Sequence, residues 1–248
     1  AGEAFRAPSA LPGWTRAHVL THLARNADAM VNLLTWARTG VETPAYPDPA
    51  SRDADIEAGA GRSSDEIRAD VVASSDRLAD FAQKEFGHLD RGFGRGTAIC
   101  NWVYDNIDYR RGSSNEGTTA DESLILRAGV CRDFSHIAIA FCRALDIPAR
   151  FVSAYAFGLV PPDFHAVFEA YLDGRWWLFD ATRQARLDGL VRIGVGRDAA
   201  EIAFASPFGE MEPGPVTVFM ERADGKPEMG ERPSEAIATD GDAPPPAA

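Results

Sequence analysis

The chain has 248 residues, 45% of them hydrophobic, which is enough to bury a sizeable core and excludes global disorder. Its 25 Lys and Arg against 37 Asp and Glu leave a net charge of −12, which opposes binding to a nucleic-acid backbone, and no apolar run is long enough to span a membrane. Three cysteines make no disulfide framework in a chain of this length, and the odd count leaves at least one thiol free.

The opening residues AGEAFRAPSA carry no charged-then-apolar leader, so a cytoplasmic location is expected; the absent first Met reads as a trimmed or internal piece. After Trp14, the positions Val19, Leu20, Leu23, Ala27, Met30, Val31 and Leu34 recur at helical spacing, with Gly40 as the C-terminal cap. Residues 41–62 are rich in Pro, Gly and Asp and read as a long loop. Ser63 and Glu66 form a capping box for a helix carrying Ile67, Val71, Leu78 and Phe81, which ends near Gly87. A further helix is marked by Ile99, Trp102, Val103 and Ile107, then the turn-rich RRGSSNEGTTADES and a short apolar run, Leu124 to Ala128.

Gly129 breaks the chain just before Cys131, and residues 131–145 place Phe134, Ile137, Ala138, Phe141, Cys142 and Leu145 on one helix face. Three strand-like runs follow, at 150–157, 166–172 and 176–180, with Asp173-Gly174 as a hairpin turn between the last two. A helix followed by antiparallel strands predicts an α+β fold. Beyond about residue 222 the chain is acidic, ends in DAPPPAA and reads as a disordered tail.

One constellation in this pattern carries chemistry. Cys131 opens a helix, where backbone N–H groups and the helix dipole favour a thiolate and can hold an oxyanion. His165 opens one strand and Asp180 closes the strand paired with it. With the turn at Asp173-Gly174, Leu172 faces Arg175, so Asp180 falls opposite Val167 and diagonal to His165 on one sheet face. An acid beside an imidazole, under a helix that starts with Cys, is the arrangement of a Cys–His–Asp triad. Cys142 and Cys100 read as core thiols, His136 as a core-edge residue and Asp133 as a helix cap; of Trp176 and Trp177, one belongs to the core.

GVCRDFSHIAIAFCRALDIPARFVSAYA, followed by DFHAVFEAYLDGRWWLFDATR, resembles the bacterial transglutaminase-like superfamily over about residues 76–208. The resemblance implies a papain-like core, in which a Cys-bearing helix packs on an antiparallel sheet, and it implies Cys131, His165 and Asp180 as catalytic residues. Where many members read His-Ala-Trp, this chain has Val167 in place of the Trp, a departure that bears on substrate choice.

LPGWTRAHVLTHLARNADAMVNLLTWARTG resembles the N-terminal domain of mycothiol-dependent maleylpyruvate isomerase, a DinB-like helical bundle that holds zinc on a His after GWT and on a later Glu and His. His22 matches the first ligand, with His18 one turn earlier, but the later Glu-x-x-x-His has no counterpart; Glu85 and His88 are spaced differently. No metal and no organic cofactor is therefore expected.

The expected organisation is a partial DinB-like segment at 1–75, a catalytic domain at 76–220 and a tail at 221–248. The expected function is acyl transfer or amide hydrolysis through a thioester, with a protein or peptide as acyl donor and neither nucleic acid nor membrane as partner. Its rivals are a metal- and thiol-dependent isomerase or transferase and a non-catalytic binding module. Two helices alone cannot cover each other's apolar faces as a four-helix bundle does. An exposed stripe through Leu20, Leu23, Val31 and Leu34, and self-association through it, is thus also expected.

Overall fold

The computed structural model describes residues 2–9, 11, 13–111, 128–199, 201–202, 217–226, 229–230 and 236–239. The chain divides into two compact units, which meet in sequence between His88 and Leu89.

The first unit holds helices α1 (Gly2–Arg6), α2 (Arg16–Thr39), α3 (Pro49–Ala60) and α4 (Ser64–Phe86). α2 ends where its sequence says it should: Gly40 takes the left-handed conformation and its N–H bonds Trp36 O at 2.8 Å. The capping box of α4 is formed, with Ser63 N–H on Glu66 at 2.9 Å and Glu66 N–H on the Ser63 hydroxyl at 3.3 Å. α4 runs unbroken through Ser74 and Asp76, so the boundary expected at 75/76 falls inside one helix.

α3 corrects the loop expected over 41–62. The residues that read as loop start this helix: Asp48 accepts the Ser51 N–H at 3.0 Å, and Pro49 fills the first turn, where no N–H is needed. The extra helix also changes what α2 exposes. Leu34 is fully buried, and Leu20 packs with Phe5 against Ala17, Ala60 and Ile67; only Leu23 of the expected stripe is largely exposed. The inward face of α2 instead carries Ala17, Thr21, Ala24, Ala29 and Leu33. Such small side chains let helices approach closely. At the rim Asp70 accepts from both Arg25 (2.6 Å) and Arg62 (2.5 Å).

The second unit begins with α5 (Phe93–Asn106), then a short parallel pair, β1 (Asp108–Tyr109) and β2 (Ala128–Gly129), then α6 (Cys131–Ala144). Residues 112–127, with the turn-rich segment and most of the run at Leu124, lie outside the described residues. A four-stranded antiparallel sheet follows: β3 (Ala149–Ala156), β4 (Phe164–Leu172), β5 (Arg175–Phe179) and β6 (Leu190–Gly196), in the order β5-β4-β3-β6. The α+β architecture is as the sequence predicts. β6 is an addition, an edge strand whose Val191, Ile193 and Val195 are exposed.

The β4–β5 hairpin has the predicted register, Leu172 opposite Arg175, and Asp173 and Gly174 both have positive φ, as a type I′ turn requires. Asp173 does a second job. Its carboxylate accepts the Phe93 N–H at 3.1 Å and so caps α5, whose N-cap residue Gly92 has no side chain to do it. α5 then lies close on the sheet: a Cβ at Gly96 would stand 2.6 Å from the Phe179 ring.

The face of α6 predicted from spacing is the buried one: Phe134, Ile137, Ala138, Phe141, Cys142 and Leu145 are all at most 2% exposed. The tail, expected disordered from 221, is corrected at one place. Residues 237–239 lie along β5, with Leu178 N–H on Ile237 O at 3.0 Å and Thr239 N–H on Trp176 O at 2.9 Å. Ile237 packs on Val152, Val167 and Leu178, and this apolar contact holds the segment there. Among the described residues no helix is long and apolar enough to cross a membrane.

Candidate active site

The turn before α6 is built tightly around Gly129. A Cβ there would stand 2.8 Å from Asp133 Cβ, so only glycine fits without a shift. Asp133 is fully buried and accepts the Val130 N–H at 2.9 Å and the Arg132 guanidinium at 2.9 and 3.1 Å. It caps the helix that starts at Cys131, as expected. The N–H groups of Asp133 and Phe134 both return to Val130 O, at 2.9 and 3.2 Å. Among the described residues this leaves those of Cys131 and Arg132 without a partner at the positive end of the helix dipole. The Cys131 thiol is half-buried.

His165 lies on β4 opposite Ala154 and is completely buried. Its Nε2 is 2.9 Å from Asp180 Oδ2, just beyond the end of β5, so the pair predicted from the hairpin register is formed. With Nε2 committed to Asp180, Nδ1 is the other ring nitrogen. It is buried and, among the described residues, has no hydrogen-bond partner. Burial opposes charging the ring, but the hydrogen bond that Nε2 gives to Asp180 and the neighbouring Asp180 and Cys131 outweigh it and push His165 up to about 10. Asp180 is buried too, yet its bonds to His165 and Thr182 hold its carboxyl below the usual range.

The loop after Asp180 serves that carboxylate. Thr182 gives it both its N–H (2.8 Å) and its hydroxyl (2.7 Å), and Ala185 N–H adds a longer contact at 3.3 Å. Arg183 next to it takes a left-handed φ of 54°, held by a bond to Asn101 (2.7 Å) and by its guanidinium 3.9 Å over the Tyr104 ring. Thr182 was not among the residues predicted from sequence. Its signal is the Asp-x-Thr spacing, in which an aspartate folds back on the N–H two residues ahead.

The remaining expectations separate cleanly. Cys100 and Cys142 are buried, and desolvation pushes each thiol up to about 12. His136 accepts the Ala199 N–H at 3.2 Å, packs on Phe151 and is pushed down by burial, a core-edge residue. Trp176 is the core member of its pair; Trp177 is partly buried against Phe93. In the first unit His18 bonds Thr15 (2.7 Å) and Glu57 (3.3 Å), whereas His22 meets Asn26 (3.1 Å) and Arg52 (3.4 Å). Among the described residues no cluster of three or more His, Cys, Asp and Glu is arranged to hold a metal ion.

Comparison with known proteins finds two families to which parts of the chain are similar. Residues 80–181 fit the family model of the transglutaminase-like superfamily, and residues 1–90 fit that of the mycothiol maleylpyruvate isomerase N-terminal domain. A solved structure of a candidate cysteine protease from Cytophaga hutchinsonii is 46% identical, covers 69% of this chain and 54% of that one, and superposes with a TM-score of 0.55. A mycothiol-dependent maleylpyruvate isomerase structure is 38% identical over 34% of this chain and 35% of that one, with a TM-score of 0.33. An uncharacterised protein of Mycobacterium leprae is 30% identical over 115 residues, 43% of this chain and 41% of the relative. The chain thus spans about two-fifths of the length of the curated relatives it matches. Residues 80–181 are thus similar to a transglutaminase-like domain and residues 1–90 to the isomerase's N-terminal type.

Proposed function

We propose that the second unit is a cysteine-nucleophile enzyme acting on a peptide-like amide or ester. The thiolate of Cys131 adds to the carbonyl carbon, and the carbonyl π pair moves onto oxygen. As the tetrahedral species collapses, the leaving amine takes a proton from His165 Nδ1 and departs, leaving a thioester on Cys131. Water or a second amine then gives its proton to Nδ1 and attacks the thioester; collapse releases the acid or the new amide and regenerates the thiolate. Asp180 on Nε2 keeps Nδ1 as the working nitrogen throughout.

The observation that carries this reading is the buried His165–Asp180 contact of 2.9 Å, which leaves Nδ1 as the one ring nitrogen open to the thiol at the head of α6. The transglutaminase-like match over 80–181 supports it from a separate direction. The test is turnover of an acyl-donor peptide library, with and without an added primary amine, by wild type and Cys131→Ala. Turnover abolished in the variant is expected; equal turnover overturns the proposal. The product, free acid or amine adduct, identifies the second nucleophile.

A further inference from the structure

Thioester chemistry of this kind passes through a tetrahedral oxyanion, and one N–H at a helix start is a weak cradle for it. The Cys131 N–H supplies a first donor. Two polar groups in the first turns of the same helix are already committed: the Arg132 guanidinium to Asp133, and the Ser135 hydroxyl to Cys131 O at 2.9 Å.

Tyr109 is placed differently. The parallel β1–β2 pair sets it opposite Gly129, in the turn that leads into Cys131, and the Arg110 N–H bonds Gly129 O at 2.9 Å to fix that register. Its ring lies against Phe134, in the first turns of α6, with centroids 5.9 Å apart. Two residues on, the Arg111 guanidinium reaches Pro161 O at 3.5 Å, in the loop that leads to His165. Tyr109 therefore stands beside the segment that carries Cys131, two residues before the arginine that reaches the loop leading to His165.

We propose that the Tyr109 hydroxyl is the second hydrogen-bond donor to the oxyanion formed at Cys131, a catalytic role that rests on the nucleophile reading above. A phenol can do this only while it keeps its proton. Tyr109 keeps it: burial, and then the charge of the neighbouring Cys131, push the phenol up to about 12.

Two reagents separate this role from a structural one. p-Nitrophenyl acetate acylates a thiol through a tetrahedral oxyanion, whereas iodoacetamide alkylates it with no oxyanion at all. Tyr109→Phe keeps the ring against Phe134 and removes only the hydroxyl. Its acylation rate should fall about 10²-fold, the usual cost of one oxyanion donor, with the alkylation rate of Cys131 unchanged. Acylation unchanged, or both rates falling in step, overturns the proposal. Cys131→Ala, run alongside, tests the underlying reading separately: if it acylates as fast as wild type, the nucleophile assignment fails, and this proposal fails with it.

Discussion

Thr182 holds Asp180 by the carboxylate oxygen that His165 does not use. Its hydroxyl and N–H both meet Oδ1, at 2.7 and 2.8 Å, while Nε2 of His165 meets Oδ2 at 2.9 Å. The acid is thus clamped on one side and free to orient the imidazole on the other. Thr182→Val deletes the hydroxyl and keeps shape and backbone. Hydrogen bonds to charged groups contribute about 1.5–3 kcal/mol, so a loss of that order in unfolding free energy is expected. The Asp180 carboxyl, held low in the folded protein, should rise. Stability that it supplies above its unfolded value is lost as pH falls through the folded value, so acid unfolding of the variant should begin at higher pH. An acid-unfolding curve superimposable on that of wild type would exclude the clamp.

His165 should remain an imidazolium well past neutrality. Its folded value of about 10 exceeds the ordinary 6.5, so its contribution to stability is complete below 6.5 and disappears as pH rises through about 10. Ring titration by NMR is expected to follow that range, and Cys131→Ala should lower the midpoint by removing one of the groups that raise it. A wild-type ring titrating near 6.5 would contradict the arrangement.

Alkylation should distinguish the three thiols sharply. Cys100 and Cys142 are buried with values near 12, and Cys131 is half-exposed at a helix start. Brief iodoacetamide treatment of the native protein followed by peptide mapping should find the label on Cys131. Comparable labelling at all three positions would remove the basis for singling it out.

Two glycine substitutions should move stability in opposite directions. Gly129→Ala puts a methyl 2.8 Å from Asp133 Cβ, and overpacking of this kind costs about 1–3 kcal/mol. Gly94→Ala, within α5, meets nothing within 4 Å and should stabilise by about 0.5 kcal/mol through helix propensity. Denaturant melts of the two variants test both signs, and a destabilised Gly94→Ala would show that α5 starts differently.

What the sequence disclosed, it disclosed at the ends of elements. Cys131 follows a glycine at a helix start, and the His165–Asp180 pairing follows from the hairpin register, because Asp173-Gly174 admits one turn type. Local chemistry was enough for each. α3 was hidden because Asp48 and Pro49, loop residues by composition, act here as cap and first turn. β6 lies at a sheet edge, where one-sided burial leaves a weak pattern. Tyr109 stands out only once a two-residue parallel pairing brings it to Gly129, a non-local contact that no window along the chain contains.

The segment at 237–239 has a consequence for how the protein behaves in company. β5 is an outer strand, and without Ile237 and Thr239 its Leu178 N–H and Trp176 carbonyl would form an open template for another extended chain. The stretch that composition assigns to a loose tail therefore works as a guard against strand addition. It covers the sheet edge that runs up to Asp180.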